Sequence, residues 1–242
     1  NIDFDENEFE AEMKKQQNRS KESADNTVGE WEIISKDSKE EFIGYDSFEV
    51  KTIISRYRSV SIKEKDVFHI CLNQTPFYPE GGGQIGDTGL LSFDKEEIRV
   101  IDTKKENNLI YHIIERLPSD ISLSCLASID LDRREAISRN HTATHLLHAQ
   151  LRSVLGDHVV QKGSLVAATH LRFDFSHFTG VDQDQLKNIE SSINSKILKN
   201  ILLMEKNNIL LSEAKKLGAL MLFGEKYGDR VRLIKFNESK EL

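Results

Sequence analysis

Two histidines four residues apart, His141 and His145, stand in the run DRREAISRNHTATHLLHAQLRSVL, residues 132–155. At that spacing both imidazoles project from one face of a helix on successive turns, and two such donors can share one divalent metal. The run itself reads as a helix. Asp132 with Glu135 three residues later is a capping-box pattern, no Pro interrupts the run, and Gly156 stands where helices commonly stop. Ile137, Leu147, Leu151 and Val154 give it apolar surface to bury, and His148 and Arg152 continue roughly the histidine face. A bare His-x-x-x-His is still more often an ordinary core or surface pair than a metal site. No Glu follows His141, so the His-Glu-x-x-His metalloprotease pattern is excluded, and no Cys lies within ligand reach in sequence.

A second stretch could meet a ligand with its backbone. QTPFYPEGGGQIGDTG, residues 74–89, holds Pro76 and Pro79 and five glycines, three of them consecutive at Gly81, Gly82 and Gly83. It matches neither a P-loop nor a dinucleotide fingerprint. It is either an unusual hairpin connection or a backbone wall pressed against a ligand.

These residues need elements to position them. The chain has 242 residues, enough for one large or two ordinary domains. With 38% hydrophobic and 30% charged residues and no long apolar run, it reads as a soluble protein without a membrane span. The acidic start is not a signal peptide, and an opening residue other than Met suggests a fragment or a processed chain. Cys71 and Cys125 are isolated, which points to no disulfide framework and to a reducing cytoplasm. The net charge of −7 is unevenly spread: residues 131–242 carry 17 bases against 13 acids, net +4. That last third could meet a phosphate backbone, or could simply face acidic neighbours.

Residues 5–23 read as a helix with acids early and bases late, poor in large apolar residues, and residues 25–30 as a polar, mobile linker. From Trp31 to Asp130 short β-like runs follow one another, among them FEVKTIISRY, DVFHICLN, EIRVIDTK and LIYHII, with SFDKEE and KKENN as hairpin tips. They suggest a small antiparallel β-barrel. Beyond the histidine helix come HVVQKGSLV and LRFDFSHF, then a helix opened by Asp182 and Gln185, a short strand at ILLME, a helix from Ser212 and a final strand RVRLIKF. In LRFDFSHF, Leu171, Phe173 and Phe175 alternate with polar residues, so both Phe are expected in the core. The fold class is α+β: a linker helix with residues 1–30, a barrel over 31–130 and a two-layer α/β sandwich over 131–242.

Three motifs then fall together in order: YPEGGGQIGDTG, RNHTATHLLHAQLRSVLG, and QKGSLV with LRFDFSH, followed by LFGEKYGDRVR. In that combination the chain resembles the alanyl-tRNA synthetases over nearly its whole length. The corresponding region of the family is an internal editing domain, related to the free-standing alanyl-tRNA editing proteins and to the editing domain of threonyl-tRNA synthetase. The resemblance implies that residues 1–24 are the helix leaving a preceding tRNA-binding domain. It implies hydrolysis of serine or glycine wrongly esterified to the 3′ end of tRNA(Ala), in the cytoplasm, with no DNA partner. It makes His141 and His145 two of four zinc ligands, the other two coming from a Cys-Gly-Gly-Thr-His segment. The chain stops at Leu242, where that segment would begin, so weak zinc binding and little activity are expected of it. The resemblance also places Thr144 and Gln161 as catalytic residues in the pocket, with Gly81, Gly82, Gly83 and Gln84 as its opposite wall. ATP and Mg would belong only to the aminoacylation module, outside this region. Two rival readings are a free-standing trans-editing hydrolase and an RNA-binding module without chemistry.

Overall fold

The computed structural model describes residues 12–13, 26–35, 39–62, 65–217, 228–236 and 239–241. The chain divides into two compact units. One comprises Asn1–Pro79 and Gly86–Asp130, the other Glu80–Ile85 and Leu131–Leu242. The glycine-rich turn therefore belongs with the second unit, although its flanks belong to the first.

From Asn26 on, the regular elements among the described residues of the first unit are strands. In chain order they are β1 (Asn26–Val28), β2 (Glu32–Ile33), β3 (Glu41–Phe42), β4 (Glu49–Thr52), β5 (Ile54–Ile62), β6 (Lys65–Leu72), β7 (Gln74–Thr75), β8 (Gly89–Ser92), β9 (Glu97–Glu106), β10 (Leu109–Ile114) and β11 (Cys125–Ile129). Nine of them make one antiparallel sheet in the order β1-β5-β6-β10-β9-β8-β11-β4, with β2 also on β5. β3 and β7 pair in parallel by themselves. Among the described residues the ladder does not close on itself, because β1 and β2 take the second edge of β5. The expected barrel is thus an open antiparallel sheet whose two end regions are linked along the chain by Ile53 alone, between β4 and β5.

The alternation in β9 buries Ile98 and Val100 and exposes Glu97 and Arg99. They join Ile54, Ile70, Leu72, Phe77, Leu91 and Ile114 in one core. β9 and β10 are joined by Asn107 (φ 48°) and Asn108 (φ 69°), the left-handed pair that a tight hairpin asks for. Cys71 and Cys125 are both buried free thiols. One expectation changes at the N-terminal end. Residues 26–28 are not linker but strand, paired to residues 60–62 of β5; Thr27 and Val28 are good strand formers beside an unpaired edge. The helix expected at 5–23 lies outside the described residues except for Glu12 and Met13, which are helical.

The second unit carries α1 (Leu131–Leu155), β12 (Gln161–Val166), β13 (Leu171–Phe175), α2 (Gln183–Leu198), β14 (Leu203–Leu210), α3 (Leu211–Lys216), β15 (Arg230–Phe236) and β16 (Ser239–Glu241). α1 starts one residue before Asp132, so that carboxylate sits in the first turn, near the positive end of the helix dipole, and not at the cap. Gly156 ends the helix at φ 114° while its amide donates to the Arg152 carbonyl at 2.9 Å. α2 has its capping box complete: the Gln185 amide donates to Asp182 Oδ1, and the Asp182 amide to Gln185 Oε1. α1 and α2 pack around Leu151, Val159 and Ile189, with Leu147, Val154, Phe173, Phe175 and Ile193 around them. Phe173 and Phe175 are half-buried rather than fully enclosed; they pack on that core from β13, while Arg172 and Asp174 between them are exposed. The remaining described strands form a separate sheet, β14-β15-β16, so the sandwich expected from the element order is not one continuous layer. β14 runs on to Leu210, past the short strand expected at ILLME, through a bulge between Lys206 and Ile209.

Candidate functional site

The site grows from the glycine turn. The Gly81 and Gln84 backbones bond to each other both ways at 3.0 Å, and Gly82 (φ 59°) and Gly83 (φ 78°) turn the chain between them. Both central residues need the left-handed region, which explains consecutive glycines here. A Cβ on Gly83 would also run into the Ser164 side chain. The turn is then tied to the end of β12: the Val166 amide donates to the Gly83 carbonyl at 2.7 Å, and the Ile85 amide to the Val166 carbonyl at 3.1 Å.

That anchorage aims one side chain. Gln84 is only 6% exposed, and its Oε1 lies 2.7 Å from Nδ1 of His141. One helical turn on, the His145 ring stacks on that of His141, with centroids 4.9 Å apart and planes 17° from parallel. Burial, helped by the charges of His145 and Arg232, pushes the His141 imidazole down to about 4, so it is neutral and a donor of lone pairs near pH 7. Arg232 itself is paired with Glu205 across β14 and β15.

Thr144 lies between the two histidines in sequence and is 6% exposed. Its hydroxyl donates to the Asn140 carbonyl at 2.8 Å, which leaves the oxygen lone pairs as acceptors. Asn140 in turn donates through Nδ2 to the Ala167 carbonyl at 2.7 Å and to that of Ala168 at 3.2 Å, holding α1 to the bend after β12. Gln161, at the start of β12, donates through Nε2 to Ser164 Oγ at 3.1 Å. Ser164 is therefore the residue between Gln161 and Gly83. Gln84, His141 and His145 form one group, and Gln161, Ser164 and Gly83 another. No described hydrogen bond joins Thr144 to Gln161. Ser164 and Asn140 were not singled out by sequence, although both stand inside the quoted motifs QKGSLV and RNHTATH.

His141 and His145 fit half of a metal shell. The hydrogen bond to Gln84 engages Nδ1 and leaves Nε2 of His141 to ligate, which is how metal-binding imidazoles are commonly held. Among the described residues no third His, Cys, Asp or Glu stands with them. A second histidine pair went unnoticed in sequence: Nε2 of His158 is 2.8 Å from Nδ1 of His177, with Phe178 stacked on His158. A separation of 19 residues carries no periodic signal. On another face of α1, a cleft of about 680 Å³ runs between Arg139, Thr142 and Leu146 and the residues Lys196, Ile197 and Asn200.

The chain belongs to a family of translation enzymes, the class II tRNA synthetases (A), whose pattern it matches over residues 1–134. Its relatives within that family are alanine–tRNA ligases. It is 52% identical over 234 residues to the alanine–tRNA ligase of Bacteroides fragilis, covering 97% of this chain and 27% of that protein. It is 49% identical over 242 residues to that of Christiangramia forsetii, covering 99% of this chain and 28% of the relative. With that of Porphyromonas gingivalis it shares 42% over 240 residues. The chain thus spans little more than a quarter of the length of the curated relatives it matches.

Proposed function

We propose that this chain is the proofreading part of an alanine–tRNA ligase and hydrolyses the ester of serine or glycine on the 3′ end of tRNA(Ala). The observation that carries the reading is the contact of buried Gln84 with half-buried His141, on which His145 stacks, beside a glycine turn, in a chain whose relatives are alanine–tRNA ligases. The chemistry supplies a reason for such a site. A pocket for alanine cannot exclude glycine by size, and serine adds only one hydroxyl, so a second, hydrolytic site has to restore fidelity. ATP-dependent aminoacylation, with its Mg, would lie outside the region this chain represents. The work would be done in the cytoplasm, as the resemblance implies. No described helix is long and apolar enough to cross a membrane.

The residues divide the labour. His141 and His145 would hold zinc, which when bound supplies Lewis-acid polarisation of a carbonyl or a hold on the substrate's amino group. Gln84 orients His141. Thr144, its proton committed to Asn140, offers an acceptor to a serine hydroxyl or an ammonium group. The glycine turn presents backbone instead of side chains, so the terminal adenosine can approach closely. Gln161 and Ser164 hold the facing end of β12.

The test is deacylation of Ser-tRNA(Ala), first by this chain and then by a version extended with the family's Cys-Gly-Gly-Thr-His segment. The extended protein should bind zinc far more tightly and hydrolyse the ester, and His141→Ala should abolish both. Equal hydrolysis by the extended protein after metal removal and with His141→Ala would sink the zinc-dependent reading.

A further inference from the structure

Burying a primary amide is costly unless its polar atoms are bonded, so a Gln that is 6% exposed needs a reason to be where it is. Gln84 has one on each side. Its backbone is fixed by the reciprocal Gly81 bonds, and its neighbours Gly83 and Ile85 by the ladder to Val166. Its Oε1 meets His141 Nδ1 at 2.7 Å. An amide oxygen can only accept, so the imidazole nitrogen facing it must carry the proton. The His145 ring, nearly parallel at 4.9 Å, restrains the plane of His141 from the neighbouring helical turn. The side chain is therefore held in the Nδ1–H form with the Nε2 lone pair presented, whereas imidazole side chains in water favour the proton on Nε2.

We infer that Gln84 is a positioning residue that selects the tautomer and orientation of His141, and so makes Nε2 the working nitrogen. This deepens the proofreading reading and rests on it for its purpose, but the tautomer itself is a property of the metal-free protein.

The experiment is ¹⁵N NMR of histidine-labelled, metal-free protein at a pH where His141 is neutral, with His141→Ala to assign the signal. The unaltered protein should show the Nδ1–H form at His141. Gln84→Met keeps the length but removes the acceptor, and should move His141 to the Nε2–H form. Gln84→Glu restores an acceptor and should restore the Nδ1–H form. A second readout uses zinc alone, titrated against a chelator into the version extended with the Cys-Gly-Gly-Thr-His segment. Gln84→Met should weaken zinc binding on the order of 10- to 100-fold, as loss of such supporting partners does, and Gln84→Glu should recover it. An Nε2–H tautomer in the unaltered protein, or no change with Gln84→Met in either readout, overturns the inference. If the tautomer switches as stated while the version extended with the Cys-Gly-Gly-Thr-His segment takes up no zinc, the inference stands and the zinc half of the functional reading falls.

Discussion

Nε2 of His112 lies 2.7 Å from Oγ1 of Thr75, and neither residue exposes more than 3% of its surface. The other ring nitrogen faces the Ile70 carbonyl at 3.1 Å, which can only accept, so Nδ1 carries the proton and Nε2 accepts from Thr75. A second proton on the ring would meet a hydroxyl already donating to it. Burial pushes this imidazole down to about 4. Above pH 6.5 it is neutral folded or unfolded and adds no pH dependence. Between pH 6.5 and about 4 the unfolded chain takes up a proton that the folded one refuses, so stability should fall as the solution is acidified, by up to about 3 kcal/mol from this residue. His69, also held near 4 by burial and by the Arg58 charge, adds to the same trend. Urea titrations at pH 7.5 and 4.5 check this; His112→Gln should be less stable at pH 7.5 yet lose less on acidification.

Phe77 is fully buried against the edge of His112, with ring centroids 5.1 Å apart, whereas Phe173 is half-buried on the core of the second unit. Phe77→Ala should cost about 3–5 kcal/mol and Phe173→Ala roughly 1–3 kcal/mol, because only part of the ring leaves a cavity. Chemical denaturation followed by fluorescence ranks them. The reverse order would mean that the Phe173 ring is the more tightly enclosed of the two.

Gly83→Ala combines a left-handed φ of 78° with a collision against Ser164. We expect a loss on the order of 1–3 kcal/mol for the backbone and steric strain together. Adding Ser164→Ala should recover the steric share and leave the backbone share. A double variant no better than the single would show that φ alone forbids the substitution.

The cleft between α1 and α2 places Arg139 and Lys196 on its lining, and Arg139 makes an exposed ion pair with Glu135 at 3.6 Å. If tRNA lies along this face, neutralising both cations with Gln should weaken binding about equally for any tRNA sequence and flatten the dependence of affinity on salt. An unchanged salt slope removes the cleft from the RNA path.

Local chemistry made much of this architecture legible. Asp182 and Gln185 read as a capping box and are one. The polar runs SFDKEE and KKENN read as hairpin tips, and the second becomes the Asn107–Asn108 turn. What could not be read is pairing over distance. The contact of Gln84 with His141 spans 57 residues, and no period in the sequence marks it; only the family resemblance placed the two near one pocket. Residues 26–28 looked like linker because their composition is polar, and became strand because the edge of β5 was available. Thr144 stood out by its place between two histidines, but its use of the Asn140 carbonyl is a matter of rotamer, not of residue type.

The segment Glu80–Ile85 belongs to one unit by contact and to the other by both of its ends. A protein cut between Asp130 and Leu131 would therefore deliver α1 and the β12–β13 hairpin without the backbone that now shields the end of β12. The Val166 amide and carbonyl would lose their partners in Gly83 and Ile85. An unpaired strand end of that kind is a template for another chain, so the separated piece would carry an adhesive edge that the intact chain covers with its own glycines.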